Sequence, residues 1–279
     1  MHIKKIALKI VIPLLILSIS FFIPIFKNFF DFSNIFSVVS LLFVIILGFF
    51  IAAATSNYLN FQACLAKEDS ALISLHNYVG IVDPASKQEI ANLIDHYLIE
   101  TLDYKIGDYI YYTQKEYDEI VRAVDQIKIN QKNPESSAVF SSMHEVKQDL
   151  LAVRQDIFQA GRSIVHTLHW IVLILLVSTM EFLLLSIRDG SFLINLVAGI
   201  VTIIMYLTLI LLYEIDNNVF LEEQLAYEDP QSVFRALGNL PYYPETAIHH
   251  HLIKPPVRYR IGRYKNFPTS LEKTIEIVE

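Results

Sequence analysis

Four long apolar runs constrain this chain more than any other feature of its sequence. Residues 10–26, 35–54 and 192–213 contain no Asp, Glu, Lys or Arg, and residues 168–187 contain one, Glu181. A bilayer core of about 30 Å takes roughly 20 helical residues. Helices also satisfy their own backbone hydrogen bonds where no water is available. The runs therefore predict four transmembrane helices in two hairpins, 1–56 and 168–213. A polar segment, 57–167, separates the hairpins, and a polar tail, 214–279, follows them. The predicted fold class is an all-α integral membrane protein, with a helical cytoplasmic domain formed by the central insert and the C-terminal tail.

The first run follows Lys4, Lys5 and Lys9, as a cleaved leader would. However, Phe26 is followed by Lys27, Asn28, Phe29 and Phe30, which is no small-residue cleavage site. The run is expected to stay as a span, with Pro13 and Pro24 kinking or ending it.

Charge is segregated in the same way. Only 18% of the residues are charged, against about 25% in a typical soluble domain. Residues 57–167 hold ten basic and sixteen acidic side chains, and residues 214–279 hold seven and ten. The hairpin turns offer Lys27 and Arg188. The opposite side has Lys4, Lys5, Lys9, Lys67, Arg154, Arg162 and Arg235 near span ends. Basic residues favour the cytoplasmic side, so both termini and the insert are expected there, in a multi-pass membrane protein. Cys64 is the only cysteine, which excludes an intramolecular disulfide.

The second span is expected to continue as a helix into the insert. Tyr58, Phe61, Leu65, Leu72, Leu75 and Val79 recur at helical intervals, and Glu68 fills one gap. Asp83-Pro84 predicts a new helix start, with Ile90, Ile94, Tyr97 and Leu98 on its buried face. Thr113 with Glu116 predicts a capping box. The helix it opens carries Tyr117, Val121, Val124 and Ile127, and Asn133-Pro134 ends it. Val139, Met143, Val146, Leu150, Val153, Ile157, Ala160 and Ile164 form a seam with alternating four- and three-residue steps. It is expected to run into the third span, and serves either self-association or packing on the chain's own helices. The tail is expected to start helical and become irregular around Asp229-Pro230 and the run Pro241, Tyr242, Tyr243, Pro244. Residues 254–265 hold five basic residues and no acidic one. Lipid headgroups, an acidic neighbouring subunit or plain solvent would each suit them.

Two stretches resemble a bestrophin-like family of bacterial membrane proteins. One runs from Gly48-Phe49-Phe50 through Thr55-Ser56-Asn57-Tyr58 to Glu68-Asp69-Ser70-Ala71-Leu72. The other is Glu214-Ile215-Asp216-Asn217-Asn218-Val219-Phe220, followed by Asp229-Pro230-Gln231-Ser232-Val233-Phe234. The resemblance implies a homopentamer whose second span lines an axial pore. Gly48-Phe49 matches a Gly-Phe pair of the family's narrow neck, with Ile45 and Leu41 four and eight places before Phe49. Leu41, Ile45 and Phe49 share one helical face, so the resemblance makes them a pore neck. The competing reading packs this stripe on another span or turns it to lipid. The tail lacks the acidic run with which animal relatives bind calcium, and Asn217-Asn218 stands where the bacterial group often has Arg-Pro. No cofactor or metal is expected.

Glu181 is the single ionisable carboxylate inside a span, which makes it a functional candidate. Coordination of an ion, proton relay, pairing within the bundle and simple burial all remain open for it. His249-His250-His251 lacks the spacing of a metal site, and His166 with His169 lacks a third ligand. The sequence has no phosphate-binding glycine loop, zinc-protease helix or serine nucleophile elbow. No enzyme and no nucleic-acid partner are expected. The leading reading is an oligomeric ion channel of the bacterial inner membrane with permeant inorganic ions, in contact with the bilayer. The alternative is a non-conducting membrane scaffold or sensor whose cytoplasmic helices bind partners. A secondary transporter centred on Glu181 fits less well, with four spans and no internal repeat.

Overall fold

The structure is a computed structural model that describes residues 11–13, 15, 33–128, 134–188, 191–219, 226–250 and 252–279. The chain divides into two compact units. One comprises residues 1–58 and 163–217, the other residues 59–162 and 218–279.

Three described helices are long and apolar enough to cross a membrane: α1 (Ser33–Val82), α6 (Thr167–Ser186) and α7 (Phe192–Asp216). The expected first span, 10–26, lies outside the described residues except Val11, Ile12, Pro13 and Leu15. In the first unit Phe43, Leu47 and Ala54 of α1 are buried against Leu173 and Met180 of α6 and Met205 and Leu212 of α7. Hydroxyls in these helices return to their own backbone. Ser178 donates to Ile174 O, Thr179 to Leu175 O and Thr208 to Ile204 O. Such i−4 bonds leave no unpaired donor facing lipid. Ser191 caps α7 by accepting from the Ile194 N–H at 3.3 Å.

The second unit takes up α1 from Leu59 and adds α2 (Lys87–Thr101), α3 (Tyr109–Tyr112), α4 (Gln114–Gln126) and α5 (Pro134–Ala160). Its core joins Phe61, Leu72, Leu75 and Val79 to Ile90 and Ile94, Ile120 and Val124, and Met143, Leu150 and Ile157. The periodic face of α5 is thus buried within the chain, which selects own-helix packing over self-association for that seam. The seam does not run into the third span. Helix α5 stops at Ala160, and α6 begins at Thr167 with His166 at its N-cap position. Gly161 follows that end, its N–H still bonded to Ile157 O at 2.8 Å. A Cβ there would lie 3.1 Å from Ile157 O and 3.2 Å from Gly107 Cα, so the α2–α3 loop and the end of α5 meet backbone to backbone. Thr113 does precede α4, but its hydroxyl donates to Tyr109 O and no capping box forms. Asp83 holds the turn before α2 by accepting from Ala85 N–H and the Ser86 hydroxyl.

The all-α expectation fails in the tail. After α8 (Pro230–Ala236) the chain forms β1 (Tyr242–Pro244), the short helix α9 (Glu245–His249), β2 (Tyr259–Tyr264) and β3 (Lys273–Val278). Strand β1 pairs parallel to β2, Tyr242 opposite Arg260, and β2 pairs antiparallel to β3, Tyr264 opposite Lys273. The β-branched residues Thr274, Ile275, Ile277 and Val278 suit a pleated strand. The basic stretch 254–265 is mostly spent inside this unit. Arg260 donates two bonds to Asp95, at 2.8 and 2.7 Å, and Asn239 adds a third at 2.7 Å. Arg263 pairs with Glu276 and Glu245, Lys265 with Glu272, and Arg258 with Glu279.

Candidate functional site

Helix α1 carries two opposed faces in the first unit. Phe43 and Leu47 enter the core, while Leu41, Ile45 and Phe49 are 62%, 59% and 68% exposed. The three follow one another at four-residue steps, so they stack along one side of the helix. They stand away from the core formed with α6 and α7. Gly48, beside Phe49, has nothing within 4 Å of the place where a Cβ would sit.

Two acidic residues of the same unit are tied to named partners. Thr202 on α7 donates its hydroxyl to Glu181 Oε2 on α6 at 2.6 Å, with the Ala198 carbonyl 3.0 Å from the same hydroxyl. Glu181 therefore meets a polar group inside the hairpin, two turns of helix from its turn. Asp216, at the end of α7, is buried. Its Oδ1 accepts from the backbone N–H groups of Ile164 and Val165 at 2.8 and 3.1 Å, and its Oδ2 has no hydrogen-bond partner. It fastens the end of α7 to the segment that leads into α6. The rings of His166 and His169 are 5.8 Å apart, and His169 packs against Phe50 at 4.8 Å. Among the described residues no three His, Cys, Asp or Glu gather as a metal site would require. His249 faces Glu245 at 3.5 Å, and His251 lies outside the described residues.

The second unit holds a buried polar cluster that no motif announced. Glu68 accepts from Tyr97 Oη at 2.6 Å through Oε1 and from Tyr109 Oη through Oε2. Arg154 donates to the Tyr97 hydroxyl and, at 3.1 Å, to Ile110 O, and its guanidinium lies over the Tyr117 ring at 4.3 Å. Four helices and the α3 turn thus converge on one ion pair. Burial raises the Tyr97 and Tyr109 hydroxyl pKa values, and the Glu68 charge raises them further. Both stay protonated as donors at neutral pH. Beside them, Asp69 is pushed well above the usual carboxylate range by burial first, then by the charges of Glu68 and Asp229. The sequence signal was Glu68 itself, a charge set into an apolar stripe.

A family model of the Bestrophin-like domain matches residues 33–218. The chain belongs to that family. The match contains α1 through α7 and the Glu68 cluster, and it ends before the tail sheet. No curated protein matches the chain. Among solved structures it resembles a bacterial bestrophin homologue from Klebsiella pneumoniae. One crystal structure, phased on zinc, shares 12% identity at a TM-score of 0.62, covering 85% of this chain and 100% of that one. A point variant of the homologue gives a TM-score of 0.64 at 12% identity, over 84% and 100% of the two chains. At this identity the likeness concerns the fold. It extends the bestrophin-like architecture over most of the chain, and the three apolar helices make it a membrane protein.

Proposed function

We propose that this bestrophin-like chain is one subunit of an oligomeric ion channel of the bacterial inner membrane, a homopentamer with four spans and both termini cytoplasmic. One observation carries the reading. Leu41, Ile45 and Phe49 form a stack of large apolar side chains turned outward from the chain's own helix core. Repeated around an axis, the stack becomes three apolar rings at successive turns of α1. Such rings gate by dewetting, because a narrow apolar bore excludes water and the ions it hydrates. Permeation needs no covalent step. The net −6 of residues 57–167 weakly favours cations near the path. Glu181 serves in pairing, holding α6 to α7 through Thr202.

The experiment is reconstitution of the purified protein into planar bilayers under varied voltage, pH and salts, with particle imaging to count subunits. Currents from particles with α1 around a central axis are expected. Silent bilayers under all conditions, or particles of one or two copies without an axial path, overturn the channel. They would leave a scaffold or sensor that binds partners through its second unit.

A further inference from the structure

Near one end of the first unit, two buried polar atoms have no hydrogen-bond partner: His169 Nδ1 on α6 and Asp216 Oδ2 at the end of α7. His169 sets its ring against Phe50 of α1, with centroids 4.8 Å apart. Phe50 packs on the core that α1 shares with α6 and α7, and its ring meets that of Phe49 edge-on at 5.8 Å. Phe49 itself turns outward, in the stripe with Leu41 and Ile45. The imidazole therefore fills the space behind the turn of α1 that carries Phe49. In an interior packed at crystal density, that ring sets how far back the turn can lie.

The two unpartnered atoms are chemically complementary. Histidine is the side chain whose charge changes between about pH 5 and 8. An imidazolium carries an N–H donor on each nitrogen, and an ionised carboxylate only accepts. A charged N–H left buried without an acceptor costs more than attraction to the Phe50 face returns. Asp216 Oδ1 already accepts from the N–H of Val165, four residues before His169, and Tyr213 of α7 packs on Trp170 of α6. Both contacts bring the end of α7 to the start of α6. The other titratable groups at this end are His166, its ring 5.8 Å from His169, Tyr58 of α1, and Tyr213 and Glu214 of α7. Among the described residues of this unit the one Lys or Arg is Arg188, past the far end of α6.

We propose that His169 is a proton-operated positioning residue of the neck. Uncharged, its ring props the Phe49 turn of α1 forward. Protonated, it leaves Phe50 and donates Nδ1–H to Asp216 Oδ2. Phe50 then falls back into the space released, Phe49 follows, and the bore widens. The inference rests on the channel reading and adds its regulation: ion flow rises as pH falls.

The test uses the purified full chain in vesicles and planar bilayers from about pH 8 to about pH 5. Trp170, the single tryptophan, adjoins His169. An imidazolium quenches indole emission more than a neutral imidazole does, so Trp170 reports the proton without any current. In the parent, emission should drop and conductance should rise several-fold as pH falls, with one midpoint. His166→Gln should keep both changes. His169→Phe should hold conductance low and flat, His169→Gln high and flat, and neither should show the emission step. Conductance that still follows pH in both His169 variants, an emission step that survives in them, or a parent that conducts equally at every pH overturns the switch and leaves the channel standing. A parent silent at every pH removes the channel and this control of its neck together, whatever the emission does. The two His169 variants differ in size, so a packing defect in one does not decide the result.

Discussion

The Tyr97 hydroxyl sits between Glu68 and Arg154, donating to the carboxylate and accepting from the guanidinium, whose nearest nitrogen is 3.8 Å from Glu68 Oε1. The two charged side chains are 5% and 3% exposed. Removing one partner of such a pair leaves the other charge buried without compensation, at a cost of about 3–5 kcal/mol. Arg154→Met is therefore expected to lower the thermal unfolding temperature sharply, and Glu68→Leu combined with it should recover part of the loss. Circular dichroism in detergent measures both. An Arg154→Met protein as stable as the parent would show that the cluster does not hold the helices together.

Asp69 gives a pH dependence of definite sign. In the folded chain its carboxyl is pushed well above the ordinary range, by burial before the charges of Glu68 and Asp229. The unfolded chain titrates near the ordinary value of about 3.9. The folded state therefore binds this proton more tightly, and the contribution of Asp69 to stability falls as pH rises from the ordinary carboxylate range through the raised folded value. Asp69→Asn should flatten that part of the stability profile and stabilise the protein at neutral pH. Unfolding temperatures of parent and variant, taken across the acidic to neutral range, decide it. Parallel profiles would remove Asp69 as the cause.

The three described apolar helices and most helices of the second unit were legible in the sequence because their signals are local. An apolar run of bilayer length can satisfy its backbone only as a helix or closed barrel, and the face of α2 repeats Ile90, Ile94, Tyr97 and Leu98 within three turns. What stayed hidden depends on distant partners. Glu68 and Tyr109 are 41 residues apart, and Asp95 and Arg260 are 165 apart. The backbone approach of Gly161 to Gly107, just past the end of α5, lies in no helical period. The tail strands escaped because six residues of Lys273–Val278 give too short an alternation to stand out, and β1 spans only three. The stripe Leu41, Ile45, Phe49 was legible as a face, but its outward direction follows from which other face meets Leu173 and Met180.

The tail sheet rests on one glycine. A Cβ on Gly262 would run into the Tyr242 hydroxyl and would lie 2.9 Å from the ring carbon that bears it. Tyr242 is fully buried, so its ring has no free space to yield. Overpacking of this kind costs about 1–3 kcal/mol. Gly262→Ala should open the β1–β2 pairing, and hydrogen exchange over residues 242–264 should rise while the helices of the first unit keep their protection. Unchanged exchange in that segment would mean that the ring shifts without cost.

The neck proposal predicts that two faces of one helix behave differently. Ile45 and Phe49 are exposed in the single chain, whereas Leu47 is buried against α6 and α7. Truncating a buried leucine costs about 2–5 kcal/mol through lost contacts and the cavity left behind. Leu47→Ala should therefore lower the unfolding temperature while leaving unitary conductance near that of the parent. Ile45→Thr should do the reverse. A hydroxyl at a constriction lowers the barrier to wetting, so conductance or resting leak should rise several-fold with little change in stability, and Phe49→Ala should act in the same direction by widening the bore. Planar-bilayer recordings paired with thermal unfolding of the same samples separate the faces. If Ile45→Thr and Phe49→Ala leave conductance unaltered, the stripe faces lipid or a neighbouring helix, and the ion path lies elsewhere.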